Sequence, residues 1–322
     1  MPDLKVRPTA WQAGSSDRAT VRGMLEHMPW PPLPLASWRD TRDTLQMWTQ
    51  IAGKIALALT PRVNHFWNIA LQIVPRGLQT PAMAHDHRTF TLTFDFCAHE
   101  LVIAVSDGTR RTVPLQPQTV ADFYVGVMGA LDELGVHPRI WTMPVEVVEP
   151  IRFEQDTTHR SYDRDAVRRF WDIVLAMKPV LESFRAEFIG KCSPVHFFWG
   201  SFDVAVTRFS GRAAPERAGA DSITREAYSH EVISHGWWPG GGPVDEPAFY
   251  AYAAPEPDGF KTARVEPAGA FYSKDFSEFI LPYDAVRTAA SPEDALYSFL
   301  RTTYEAGATL AKWDRHTLER SQ

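Results

Sequence analysis

The chain is 322 residues long, is 44% hydrophobic, 22% charged and 12% aromatic, and carries a formal net charge of −6. This composition is typical of a folded globular protein, and an acidic balance without a basic, aromatic-interleaved cluster argues against a nucleic-acid partner. With only two cysteines, a disulfide framework is not expected, and the sequence has no apolar run of about 18 residues that would predict a membrane span. The N-terminal segment lacks the apolar core of a signal peptide, so we expect a cytoplasmic protein.

The first part of the chain alternates between helical and strand periodicity. Apolar residues three and four positions apart predict helices, and strict alternation of apolar and polar residues predicts strands. In order, the predicted segments are an extended proline-containing arm (1–36), a helix (37–60), a strand (63–73), a β-meander (90–105), a helix (118–134) and an extended segment (140–148). The arm includes Pro31, Pro32 and Pro34, which favour polyproline II geometry.

The second part of the chain repeats the order of helix, strands and closing helix. In order, the predicted segments are a helix kinked or restarted at Pro179 (163–188), a long strand (192–212), a loop (212–222), a short helix from Ser222 that carries His230, Glu231 and His235, a glycine-rich turn (236–243), two strands (249–253 and 277–283) and a final helix (291–310). Asp163 and Ser291 are the expected N-caps of the two long helices here, and Ser37 is the expected N-cap of the first helix.

Two matched positions favour an internal duplication. Trp67 aligns with Trp199, and nine residues later Arg76 aligns with Arg208; a chance likeness of two helix-then-strand stretches is the alternative. We therefore expect an α+β fold of two related halves (37–150 and 151–322), each an antiparallel β-meander flanked by helices and packed as one compact unit. A cleft between the halves is where a ligand would bind.

The stretch CSPVHFFWGSFDVAVTRFSGR (192–212) carries the most unusual pattern of polar and apolar residues. As one strand, it places Trp199, Ser201 and Asp203 on one face, opposite an apolar face. A carboxylate beside an indole in mid-strand is either a satisfied buried group or part of a site. A bulge would bring His196 to the same face; without one, His196 is a core histidine.

Several motifs resemble one known family. The run HFFWGSFDVAVTRFSGR, with SHEVISHGWWPGG, YAYAAPEP and EFILPYDAVR, is similar to a bacterial family of unknown function, the DUF family numbered 5996. The earlier stretch SWRDTRDTLQMWTQ followed by NHFWN fits the same family, so the resemblance covers roughly residues 37 to 315. It implies no established activity, and no residue role follows from it.

The remaining motifs give no specific signal for a metal or a phosphate. Glu231 and His235 are four residues apart and could act as an acid–base pair or as metal ligands, but the spacing H-E-x-x-x-H is not that of a zincin. The glycines at 240–242 do not form a phosphate loop. We expect a flexible turn that places Trp237 and Trp238 over another part of the protein, as a lid or a buried plug. No metal and no cofactor are expected.

The leading hypothesis is an enzyme that acts on a small planar or cyclic metabolite in an aromatic-lined cleft. The proposed catalytic residues are His196, Asp203, His230 and Glu231, with a carboxylate as base and a histidine as proton donor. The proposed ligand-binding residues are His65, Trp67, Asn68, Trp199, Ser201, Arg208, Trp238 and Tyr252. The alternative functions are a non-catalytic small-molecule-binding protein and a partner-docking protein that uses the proline arm. No oligomeric state is predicted.

Overall fold

Residues 29–241 and 245–320 are described by the computed structural model, and the predicted α+β class is confirmed. The α-helices in these residues are α1 (Arg39–Leu59), α2 (Val120–Asp132), α3 (Arg164–Ala186), α4 (Ser222–Ala227), α5 (Tyr283–Arg287), α6 (Pro292–Leu310) and α7 (Arg315–Leu318). The strands are β1 (Leu71–Val74), β2 (Gly77–Gln79), β3 (Met83–His85), β4 (Arg88–Asp95), β5 (Glu100–Val105), β6 (Arg110–Pro114), β7 (His196–Phe198), β8 (Asp203–Ala213), β9 (His230–Trp238), β10 (Ala248–Ala254), β11 (Phe271–Ser273) and β12 (Glu278–Pro282).

All twelve strands join in one open antiparallel sheet. The order is β11-β12-β10-β9-β8-β7-β1-β2-β4-β5-β6, with β3 paired to β4. The strands of the two predicted halves meet at β1 and β7, where Leu71 pairs with Phe197 and Gln72 with His196. The sheet is therefore continuous across the predicted boundary, and one buried core serves both parts. The origin of the halves by duplication stays a prediction.

The long helices cover one face of this sheet, which we call the inner face. The ring centroid of Phe170 in α3 lies 6.3 Å from that of Phe197 and 6.0 Å from that of Trp237. Trp48 of α1 stacks on Phe123 of α2, with ring centroids 4.5 Å apart. Buried aromatic side chains remove about 150–250 Å² each from water, so these contacts dominate the core. Among the described residues, no helix combines the length and apolarity that crossing a membrane requires.

The helix ends follow the sequence rules closely. Two predicted caps are confirmed: Asp163 accepts hydrogen bonds from the backbone of Asp165 and Ala166, and Ser291 accepts one from Asp294. Each cap satisfies N–H groups that a helix start leaves unpaired. The predicted cap Ser37 is wrong, because α1 begins after Trp38 and no side chain caps it. Helix α3 continues through Pro179 without a restart, because its apolar stripe goes on packing against the core beyond the proline.

Two predicted strands are wrong in the same way. Of the strand predicted at 63–73, only residues 71–73 lie in a strand, the start of β1, and Asn64–Phe66 forms a 3₁₀ turn instead. The long strand predicted at 192–212 is a hairpin, β7 and β8, with a turn over residues 199–202 in which Phe202 has φ +58°. Apolar residues on both sides of a turn gave an alternating pattern that did not reveal the reversal.

The short helix predicted to carry His230, Glu231 and His235 ends earlier than expected. Helix α4 stops at Ala227, and all three residues lie in strand β9. Strand β9 also runs through Trp238, so the glycine-rich turn begins only after it. The β-branched pair Val232 and Ile233 favours a strand over a helix at this point.

The C-terminal part of the predicted proline arm lies within the described residues. Pro34 has φ −63° and ψ 129°, which is polyproline II geometry. Leu33 and Leu35 are 1% and 0% exposed, and the indole of Trp30 donates to Glu293 at 2.9 Å. The arm therefore packs on its own chain from residue 29 onward. Residues 1–28 of the predicted arm lie outside the described residues.

Candidate functional site

The predicted shared face of Trp199 and Asp203 is wrong, because the turn between β7 and β8 separates them. Trp199 is 5% exposed; its indole N–H donates to the carbonyl of Ile69 at 2.9 Å, and its ring packs against Gly53 of α1. Asp203 opens β8 on the face away from the helices, which we call the outer face. Trp199 is thus a core residue that ties α1 to the hairpin.

Asp203 is a satisfied buried carboxyl group. It is 4% exposed and accepts hydrogen bonds from the hydroxyl groups of Ser201 and Tyr250, the latter at 2.5 Å. Burial raises the pKa of Asp203 to about 6, and the two hydroxyl donors oppose that rise. The ring of Tyr250 in turn lies 4.4 Å from that of Trp238. Ser201, Trp238 and Asp203 therefore belong to one polar and aromatic cluster.

A second carboxyl group on the outer face is less well satisfied. One side-chain oxygen of Glu278, Oε2, is buried and has no hydrogen-bond partner within the described part of the chain. Burial, and then the charge of Asp203, raise the pKa of Glu278 to about 8. Burial and Asp203 also raise the pKa of Glu146. Glu278 is therefore mostly protonated at neutral pH, and we call Asp203, Glu146 and Glu278 the carboxyl cluster.

A second group of side chains lies where the predicted halves meet, and we call it the junction cluster. Its members are His65, Trp67, Lys191, Phe209, Glu226 and His230. The ring centroid of His65 lies 4.6 Å from that of Phe209 and 5.4 Å from that of Trp67. It lies 5.8 Å from the ring of His230, in an edge-on arrangement. The structure thus brings together three predicted site residues, His65, Trp67 and His230.

The hydrogen bonds of His65 fix its tautomer. Nδ1 lies 3.0 Å from the carbonyl oxygen of Glu226 and 3.3 Å from that of Ala227, so Nδ1 carries a proton and donates it. Nε2 is then left with a lone pair, and Nζ of Lys191 lies 2.5 Å from it. The geometry assigns Lys191 as donor and His65 as acceptor.

The backbone at His65 is strained and held in place by Glu226. His65 and Phe66 have φ values of +57° and +56°, a conformation that costs non-glycine residues about 1–3 kcal/mol each. Oε1 of Glu226 accepts from the backbone N–H of His65 at 3.1 Å, and its second oxygen pairs with Arg62. Strain of this kind is concentrated at functional sites, which is one reason to single out this turn.

Lys191 sits in an apolar, aromatic environment. Its Nζ lies 4.9 Å from the ring centroid of Phe209 and 5.5 Å from that of Trp67. Burial lowers the pKa of Lys191, and the nearby charge of Glu226 opposes that shift. Burial, and then the positive charge of Lys191, lower the pKa of His65. The pair therefore combines a neutral imidazole with an amine that loses its proton more easily than usual.

Three other predicted site residues are buried and make contacts within the fold. Arg208 is 2% exposed, its guanidinium lies 3.5 Å from the ring centroid of Phe184, and it donates to a backbone carbonyl. Asn68 donates to Thr60 at 2.9 Å and accepts from the backbone of Val63. His196 is 4% exposed, and burial lowers its pKa to about 3. Each is held inside the fold.

Glu231, Trp237 and Trp238 contact residues outside the junction cluster. Glu231 forms an ion pair with Arg212 at 2.6 Å, and Arg212 also donates to the carbonyl of Ala311 just beyond α6. Trp237 is fully buried on the inner face. Trp238 belongs to β9, and its ring lies tilted by 31° against that of Tyr250. The expected turn that carries Trp237 and Trp238 as a lid is therefore wrong, because both residues belong to β9; of the two alternatives, only a buried plug agrees with the burial of Trp237.

The aromatic surface around the junction cluster extends toward β10. Trp67, Tyr228 and Tyr252 pack on a small apolar cluster formed by Phe209, Val232 and Ala254. The hydroxyl groups of Tyr228 and Tyr252 lie 3.0 Å apart. A pocket of about 140 Å³ at the ends of β9 and β10 shares Val232 and Ala254 with this surface and is also lined by Glu231. Tyr252, another predicted ligand-binding residue, is thus next to the junction cluster.

Four charged residues of the two clusters are not predicted from the sequence: Glu146, Lys191, Glu226 and Glu278. Lys191 and His65 are 126 positions apart, so no local motif connects them. Within residues 29–241 and 245–320, no three His, Cys, Asp or Glu side chains are arranged to hold a metal ion.

Comparison with curated proteins and with solved structures finds no match. Residues 30–320 match DUF5996, a family of unknown function. The match spans nine-tenths of the chain, including both the carboxyl cluster and the junction cluster. The chain belongs to the DUF5996 family.

Proposed function

We propose that the protein is an enzyme that binds a small planar or cyclic metabolite at the junction cluster and transfers protons between that ligand and the Lys191–His65 pair. The observation that carries this proposal is the 2.5 Å separation of Lys191 Nζ and His65 Nε2. A donor and an acceptor in direct contact, here a half-buried amine and a buried imidazole, are the basic parts of general acid–base catalysis.

The surroundings of the pair suit a flat ligand. Trp67 and Tyr228 are half-buried and form an aromatic surface beside Lys191. Aromatic faces bind planar rings by stacking, and they lower the local polarity so that a nearby charge acts more strongly. His65 Nδ1–H is fixed by two backbone carbonyls, which keeps Nε2 directed at the amine.

Placing the acid–base pair at Lys191 and His65 replaces the pairing expected from sequence. Glu231 is engaged with Arg212, and His196 is enclosed in the fold. Asp203 is 4% exposed and already accepts two hydroxyl donors. His230 remains a candidate because its ring borders His65.

A thermal-shift screen of planar and cyclic metabolites against matched variants tests this proposal. We expect at least one compound to raise the unfolding temperature of the wild type and not that of Lys191→Met; ligand at about 100 times its Kd stabilises by about 2.7 kcal/mol. Lys178→Met, at a half-exposed site on α3, should bind like the wild type. Compounds that stabilise Lys191→Met as well as the wild type, or a screen without any hit, would count against the site.

A further inference from the structure

We infer that Lys191 is a nucleophile that forms an imine with the carbonyl carbon of an aromatic or cyclic aldehyde or ketone. This inference rests on the proposed function and names the substrate class. Three features support it: the Lys191–His65 contact, the aromatic rings on which the Nζ atom lies, and its partial exposure. An amine in apolar surroundings beside a base is the usual arrangement of a nucleophilic lysine.

The proton movements fit the geometry. The ammonium group of Lys191 passes one proton to Nε2 of His65, and the resulting amine lone pair attacks the carbonyl carbon. A C–N bond forms and the electrons of the carbonyl π bond move to the oxygen. A proton then passes from the newly bonded nitrogen to that oxygen, which gives a neutral carbinolamine. The imidazolium of His65 then returns its proton to the hydroxyl group, which leaves as water while the C=N bond forms. One carbonyl compound and one ammonium group thus give one protonated imine and one water, His65 ends neutral as it began, and no oxidant or reductant is needed.

Lys191 is a better candidate than the other lysine with a lowered pKa. Lys54 is only 5% exposed, and its Nζ lies 5.9 Å from the ring centroid of Trp199 in the core. Burial lowers the pKa of Lys54 to about 8, yet its charge faces an indole ring instead of a proton acceptor. Lys191 has both a base within contact and a half-open position.

The charged groups near the site also favour a neutral carbonyl over an anion. The guanidinium of Arg62 pairs with Glu226, and Arg217 lies 3.8 Å from the ring centroid of Tyr228. The carboxylate of Glu226 is next to His65 and is the charge that acts on the Lys191 amine, and its ion pair with Arg62 offsets it. A neutral carbonyl compound with a flat apolar body matches that balance.

Reductive trapping tests the inference directly. The full-length protein is incubated with benzaldehyde and cyanoborohydride at pH 7.5, and adducts at all seven lysines are quantified by peptide mapping. We expect Lys191 to be modified at least about tenfold faster than any other lysine, because its amine is partly desolvated and lies beside a base. Lys191→Arg should remove this fast adduct, and His65→Asn should slow it while leaving the slow adducts at other lysines unchanged.

The controls separate this inference from the proposed function. Lys178→Arg should keep the fast adduct at Lys191. Equal, slow modification of all lysines, or fast modification at Lys54 alone, overturns the inference. If benzaldehyde then still raises the unfolding temperature of the wild type and not of Lys191→Met, the binding site remains and only the covalent step is wrong. If neither trapping nor stabilisation occurs, both proposals fail.

Discussion

The substitution Gly53→Ala is expected to destabilise the protein by about 3 kcal/mol or more. Gly53 lies in the middle of α1, and a methyl group there would overlap the indole ring of Trp199. Trp199 is held by its hydrogen bond to Ile69 and cannot move away without breaking it. The measurement is the free energy of unfolding from urea titration, followed by circular dichroism.

A second helical glycine provides the matched control. Gly129 lies in α2, and a Cβ atom there would have no neighbour within 4 Å. Gly129→Ala should therefore stabilise the protein by about 0.5–1 kcal/mol, because alanine loses less entropy in a helix. Equal effects of Gly53→Ala and Gly129→Ala would show that Trp199 is not packed on α1 and could be free to line a cleft.

The substitution Glu278→Gln is expected to stabilise the protein at pH 9 and to have little effect at pH 4. The pKa of Glu278 is raised from 4.5 to about 8 in the folded state, so its carboxyl group reduces stability as the pH rises through that range. Each pKa unit corresponds to about 1.4 kcal/mol; allowing for its partial exposure, we expect a gain of about 3 kcal/mol at pH 9. The measurement is the urea unfolding free energy at several pH values.

The sign of the effect and its location can both be checked. Glu216→Gln, at an exposed glutamate, should change stability by less than about 0.5 kcal/mol at every pH. A stabilisation by Glu278→Gln that is the same at pH 4 and pH 9 would contradict the burial of an ionisable carboxyl group at this position. Asp203 has the same direction of shift, with its window between 3.8 and about 6.

The sequence predicts the helices better than the strands, for a physical reason. The helices α1, α2, α3 and α6 each have a long apolar stripe and, in three of them, a capping side chain, so periodicity and caps agree. The turns at Asn64–Phe66 and at residues 199–202 are different, because their apolar residues alternate as a strand would. The dipeptide Gly200–Ser201 was the one local signal of a reversal.

The candidate site is predicted only in part, because its parts come from distant segments. His65, Trp67 and His230 stand out as unusual residues and do meet. Their meeting depends on the pairing of β1 with β7, a contact between segments more than 120 positions apart. Lys191 carries no motif of its own; it becomes significant only when the fold places it against His65.

The most direct test of the Lys191–His65 site is the pH dependence of Lys191 acylation, measured by competitive labelling with acetic anhydride and mass spectrometry. Exposed Lys261 on the same molecules serves as the internal reference. Burial lowers the pKa of Lys191 from the ordinary lysine value of 10.5. The rate of Lys191 acylation should therefore reach half of its maximum at a pH below 10.5. A titration midpoint at or above 10.5 would mean that Lys191 is an ordinary surface lysine and would contradict the site.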